Sequence, residues 1–180
     1  MMNARQDTFY DIFILHSEKE VIDKDFLNRI SEYFPNCRLQ YRQVGDVFDS
    51  AFEIRGITTP AYYRLLIPEL IPEYDKIIYS DVDVIFRDDL SEFYFNTEMD
   101  DYYVAGVDSL VHLIPELKTY YEKERGIDSK GNIYSGNLII NSRKMREEGV
   151  LDRFRTHIDK KYKFQDMDII NIVCKGEIKY

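Results

Sequence analysis

The stretch Tyr74-Asp75-Lys76-Ile77-Ile78-Tyr79-Ser80-Asp81-Val82-Asp83-Val84-Ile85-Phe86 decides how this chain is read. A short apolar run, Ile77 to Tyr79, leads directly into two acids at i and i+2. In extended backbone that spacing puts both carboxylates on one side. Adjacent like charges repel, so a cation or hydrogen-bond donors must stand between them. An oxygen-only site for a hard divalent ion is the direct resolution. A bare Asp-x-Asp is a weak signal in a chain with 33 acids among 180 residues. Asp166-Met167-Asp168 is a second instance, and by themselves Asp81 and Asp83 read equally well as a solvated strand end or turn.

Outward from this stretch, strands and helices alternate. Phe9 to His16 predicts a buried strand. Ser17 to Phe34 carries Phe26, Leu27, Ile30 and Phe34 at helical spacing, and Pro35 closes it. Cys37 to Val44 reads as a second strand. Thr58 or Thr59 is placed to cap a helix through Tyr63, Arg64, Leu66 and Ile67 that accepts Pro60 in its first turn and ends at Pro68 and Pro72. Lys76 to Ser80 is the third strand. Tyr102 to Val107 and Gly136 to Asn141 are further strands; Ile114 to Arg125, Val150 to Lys160 and Met167 to Val173 read as helices. The alternation predicts one α/β domain over residues 1–180 with a mostly parallel central sheet. Ligands in such sheets gather at the carboxyl ends of strands, where Asp81 and Asp83 fall.

Composition narrows the function classes. A formal net charge of −9 argues against a nucleic-acid binder, which needs clustered Lys and Arg. A diphosphate ligand remains compatible, because a bound divalent ion screens it locally. Cys37 and Cys174 stand in no metal-type spacing and read as reduced thiols of a cytoplasmic protein, free or held peripherally at the inner membrane face. No apolar run is long enough to span a membrane.

Two enzyme classes place Asp-x-Asp after an apolar strand. Haloacid-dehalogenase-like phosphatases carry it on the first strand, followed by a small residue and Thr. Here two strands come first and Val84-Ile85 follows. Nucleotide-sugar transferases carry it mid-domain, and the position favours them.

The surroundings sharpen this. Ile57-Thr58-Thr59-Pro60-Ala61-Tyr62-Tyr63-Arg64-Leu65, then Pro68-Glu69-Leu70, the Tyr74 to Val84 stretch, Tyr134-Ser135-Gly136-Asn137-Leu138-Ile139-Ile140-Asn141 and Asp166-Met167-Asp168-Ile169-Ile170-Asn171 together resemble glycosyltransferase family 8. That family includes glycogenin and lipopolysaccharide galactosyl- and glucosyltransferases. The resemblance implies a GT-A fold, a UDP-glucose or UDP-galactose donor, Mn²⁺ or Mg²⁺, and hexose transfer with retention of configuration to a glycan, lipopolysaccharide-type or protein-linked acceptor. On it, Asp81 and Asp83 match the metal pair. Arg64, Asp81, Ser135, Gly136 and Asp166 match donor-binding positions, and Asp166 also stands beside the sugar's reactive face. Read without the resemblance, Arg64 is a surface charge, Gly136 a turn glycine and Asp166 an acid at a helix N-terminus.

The chain also departs from the family. It lacks a match to the family's opening uracil-binding strand, and Met2-Asn3-Ala4-Arg5 reads as the end of the helix after it. It lacks the closing His-x-x-Gly-x-x-Lys-Pro-Trp segment that carries the metal's His ligand, and His16, His112 and His157 are no obvious substitutes. Tyr134 stands where the family has a donor-contacting Asn, Met167 where it often has Gln. Asn137 is an alternative source of the amide. These departures keep a second reading open, an inactive fragment or nucleotide-sugar-binding module. An uncovered sheet edge also invites homo-oligomerisation.

Overall fold

A computed structural model describes residues 3–48, 51–53 and 59–180; Met2, Ile57 and Thr58 lie outside the described residues. In chain order the elements are β1 (Tyr10–His16), α1 (Lys24–Ser31), β2 (Cys37–Gln43), α2 (Ile67–Leu70), β3 (Lys76–Ser80), α3 (Ser91–Asn96), β4 (Val104–Asp108), α4 (Pro115–Thr119), β5 (Ile133–Asn141), α5 (Ser142–Glu147), α6 (Val150–Arg155), α7 (Gln165–Val173) and β6 (Ile178–Lys179). A 3-10 helix over Thr59–Leu66 precedes α2, and a π-helical turn over Tyr120–Arg125 comes after α4. The residues form two compact units, Met1–Asp49 with Asp83–Glu98, and Ser50–Val82 with Met99–Tyr180.

In the first unit β1 and β2 pair in parallel, from Tyr10 opposite Cys37 to His16 opposite Gln43. A parallel pair needs a crossover, and α1 supplies it. The helix is much shorter than the expected 17–34. Asp23 caps it by accepting from the Phe26 amide at 2.8 Å, so the chain before it is turn and bend. Phe26 and Ile30 are exposed, and β1, expected to be buried, is half-buried throughout. Residues 3–8 form turns and bends rather than the end of a helix. Asp89 gathers the unit's chain segments, accepting from the Arg5 and Ser91 amides and the Tyr10 and Ser91 hydroxyls.

The second unit is built on a four-stranded sheet in the order β3-β5-β4-β6. β5 runs antiparallel to both β3 and β4, whereas β4 and β6 are parallel. Three strands thus share a direction, as a mostly parallel sheet requires. The reversed β5 lies between two of them, so the pairings are mixed rather than mostly parallel. Leu138, Ile139 and Ile140 in succession are buried, because both faces of β5 are covered. Ile139 packs with Met99 and Ala105 on one face. Leu138 and Ile140 meet Leu65, Met145, Phe154 and Ile170 on the other.

One local irregularity and one side-chain clamp shape the carboxyl end of this sheet. The β4–β5 ladder slips: Gly106 pairs with Leu138, but Asp108 pairs with Ile133. Tyr134 to Asn137 therefore bulge out of the ladder opposite Val107, an arrangement common beside functional sites. Asn171 fastens α7 to the start of β5, its amide oxygen accepting from Ile133 N at 2.8 Å and its amide nitrogen donating to Ile133 O at 3.0 Å.

Candidate functional site

The site forms where β3 ends and β5 bulges. β3 stops at Ser80, and the Asp81 amide donates to the Gly136 carbonyl at 2.8 Å. Arg64 arrives from the 3-10 helix and is buried, not a surface charge. Its Nη1 donates to Ser135 O at 2.5 Å and its Nε to Ala61 O at 2.9 Å. Its Nη2 pairs with Asp81 Oδ1 at 2.9 Å, and its Nε stands 3.2 Å from Asp166 Oδ2. One guanidinium thus joins two carboxylates from distant parts of the sequence.

Asp166 lies in the first turn of α7, behind Gln165, which takes a left-handed φ of +46°. That conformation costs a non-glycine residue about 1 kcal/mol and aims the next residue, the acid, inward. Asp166 Oδ2 is buried and accepts no hydrogen bond from the described residues, since Arg64 Nε is committed to Ala61. Burial pushes the Asp166 carboxyl up to about 6, against the opposing pull of Arg64 and a hydrogen bond with Ser135.

Gly136 is needed for close approach. A Cβ there would stand 2.6 Å from Asp81 Oδ2 and 2.7 Å from Tyr134 Cζ. The sequence reading missed Tyr79. Its hydroxyl donates to Asp81 Oδ1 at 2.7 Å, and its ring lies 4.5 Å from the Arg64 guanidinium. The signal was present in Tyr79-Ser80-Asp81, because a strand places i and i+2 on one side.

Five of the predicted site residues, Arg64, Asp81, Ser135, Gly136 and Asp166, therefore come together. Asp83 belongs to the other compact unit and is exposed, in the turn that begins at Val82. The extended-backbone argument for pairing Asp81 with Asp83 fails here, because the strand has already ended. Among the described residues no group of three or more His, Cys, Asp or Glu side chains is placed to hold a metal ion. Asn137, the alternative source of an amide, has a buried Oδ1 without a hydrogen bond from the described residues.

The model of the family described as "Glycosyl transferase family 8" matches residues 2–180, and the chain belongs to that family. A Haemophilus influenzae protein assigned as a glycosyltransferase is 27% identical over 176 residues, covering 94% of this chain and 52% of the relative. The chain thus spans about half the length of that curated relative. Among solved structures, the bifunctional glycosyltransferase WbbM matches with a TM-score of 0.83 at 23% identity, over 99% of this chain and 34% of that one. The galactosyltransferase LgtC, solved with donor and acceptor sugar analogues, matches with a TM-score of 0.69 at 22% identity, over 95% and 73%. The mouse xyloside xylosyltransferase 1 also gives 0.69, at 12% identity, over 99% and 74%. These likenesses establish the GT-A fold.

Enzymes of this family and fold generally use a divalent metal ion. The oxygen donors of Asp81 and Asp83 suit a hard cation. Two carboxylates also suit the mode in which substrate phosphates and water complete the coordination.

Proposed function

We propose that this chain is a glycosyl-transfer domain, one domain over residues 1–180, that moves glucose or galactose from a UDP-sugar to a glycan, lipopolysaccharide-type or protein-linked acceptor with retention. The observation that carries the reading is the Arg64 guanidinium joining Asp81 to Asp166 beside Gly136. It supplies fixed positive charge, two carboxylates and a backbone position without a side chain at one strand end, as suits a nucleotide-sugar site in an α/β fold. The family assignment supports it independently.

In this reading Asp81 and Asp83 would hold Mn²⁺ or Mg²⁺, which would supply Lewis-acid stabilisation of negative charge on a UDP leaving group. Arg64, Ser135 and Gly136 line the donor sugar. Asp166 stands beside the reacting carbon, where a buried carboxylate stabilises positive charge developing on the sugar ring. With its pKa at about 6, it is mostly ionised at neutral pH. The compartment proposed is the cytoplasm, at or near the inner membrane face, in keeping with two free cysteines. The exposed Phe93 and Phe95 of α3 suggest association into homo-oligomers.

The test is hydrolysis and transfer of UDP-galactose and UDP-glucose by the full chain with Mn²⁺, alongside Asp83→Ala and Asp166→Asn. Turnover should fall at least a hundredfold in each variant. Undiminished turnover in Asp83→Ala removes the metal role. Tight, metal-dependent UDP binding without turnover supports the binding-module reading instead.

A further inference from the structure

We infer that Tyr134 is the residue that sets sugar selectivity at this site, its ring forming the wall against which the donor hexose must fit. The inference rests on the proposed donor-site role of Asp81 and Gly136.

The geometry begins with the bulge. Because Tyr134 to Asn137 leave the β4 ladder, Tyr134 is released from strand pairing there. It stays about half exposed, at 47%, although Ile133 and Ser135 on either side are buried. One edge of its ring lies back against Gly136. The Cζ atom lies 2.7 Å from where a Gly136 Cβ would be, and Asp81 Oδ2 lies 2.6 Å from the same point. Ring and carboxylate are therefore no more than about 5 Å apart. The hollow created by the missing side chain of Gly136 is occupied by the hydroxyl-bearing edge of Tyr134.

The chemical consequence is specific. Any sugar that reaches Asp81 across Gly136 meets an aromatic ring there. An aromatic wall offers a flat apolar face and one hydroxyl at its edge. It accepts a pyranose by the shape of its C–H face and excludes a ring substituent that projects into it. Shape selection of this kind discriminates by roughly tenfold to two-hundredfold per misfit group. The side chain is about half exposed, so it can be replaced without opening the core.

The experiment compares UDP-glucose, UDP-galactose and UDP-N-acetylglucosamine as donors for the full chain with Mn²⁺, together with UDP alone as a binding probe. Tyr134→Asn should bind UDP within about twofold of the parent, whereas the ratio of kcat/KM between the best and second-best donor falls by about tenfold. Tyr134→Phe keeps the wall and should restore at least half of that ratio on a logarithmic scale. An unchanged donor ratio in Tyr134→Asn, with UDP binding and turnover intact, overturns the inference and leaves the donor site standing. An equal fall for all donors also overturns it, assigning Tyr134 a structural role. If the parent neither binds UDP nor turns over any of the three donors, the donor-site reading fails first.

Discussion

The Tyr79 hydroxyl donates to Asp81 Oδ1 over 2.7 Å, on the same oxygen that Arg64 approaches at 2.9 Å. The Tyr79 ring meanwhile faces the Arg64 guanidinium. One aromatic side chain thus steadies both members of an ion pair, by a hydrogen bond to the acid and a cation–π contact with the base. Burial pushes the Tyr79 hydroxyl upward despite Arg64, so it stays a donor throughout the working pH range.

Tyr79→Phe separates these two roles. The ring and its contact with Arg64 remain, and Asp81 keeps Arg64 as a partner. Loss of one charge-assisted hydrogen bond should therefore cost about 1 to 2 kcal/mol of stability, measured by urea unfolding. Tyr79→Leu also removes the cation–π contact and should cost roughly 1 kcal/mol more. Equal stability of the two variants would show that the ring contributes nothing to holding Arg64.

Asp166 makes stability depend on pH in a stated direction. Its folded carboxyl titrates at about 6, above an ordinary value of 3.8. The unfolded state therefore gives up its proton first as pH rises. Stability is highest below about pH 4 for this group, falls between about pH 4 and 6, and levels off above. The full difference is about 3 kcal/mol from the two pKa values. Asp166→Asn removes this dependence, so the variant should gain on the parent between pH 4 and 7. Urea midpoints at pH 4.5 and 7.5 for both proteins measure it, and parallel pH profiles would contradict it. The same variant loses the proposed activity, which separates a group kept for chemistry from one kept for stability.

Gly136→Ala tests the close approach. The new Cβ meets the Asp81 carboxylate on one side and the Tyr134 ring on the other. Overpacking of this kind costs about 1 to 3 kcal/mol. Asp81 is held by Arg64, Tyr79 and its own amide bond to Gly136, so removing the Tyr134 ring relieves only one of the two contacts. Combining Gly136→Ala with Tyr134→Ala should thus recover only part of the loss. Full recovery in thermal melts would mean that Asp81 moves freely.

How legible each part of the fold was in the sequence depends on the range of the interaction that makes it. β3 was found at its observed bounds, because an apolar run with acids at its end is a local pattern. The joining of Arg64, Asp81 and Asp166 was not derivable from spacing, since those residues meet only through the fold; the family resemblance carried it. The α1 helix was overestimated because apolar spacing does not mark where a cap starts it, as Asp23 does, whereas α7 starts two residues before the expected Met167. The extended reading of Asp81 to Asp83 assumed that the strand persisted, and a turn at Val82 ended it. The reversed direction of β5 has no local signature at all. A buried strand reads Leu-Ile-Ile whichever way it runs.

Asn171 gives the sharpest test of how the site is carried by the scaffold. Its amide serves both polar groups of Ile133, at 2.8 and 3.0 Å, and donates to Met167 O at 2.8 Å within its own helix. Ile133 begins β5, immediately before the bulge that presents Ser135 and Gly136, and Asn171 lies on the helix that presents Asp166. Asn171→Leu keeps the volume but leaves a buried N–H and a buried C=O without their partner. The penalty is about 1 to 3 kcal/mol for each. Unfolding should therefore show a loss of about 3 kcal/mol, among the larger effects of a single substitution in this chain. Asn171→Asp retains the acceptor for Ile133 N but sets a buried carboxylate against the Ile133 and Met167 carbonyls, and should be no more stable than Asn171→Leu. If Asn171→Leu is as stable as the parent, α7 is held to β5 by apolar packing alone, and Asp166 is positioned without this amide.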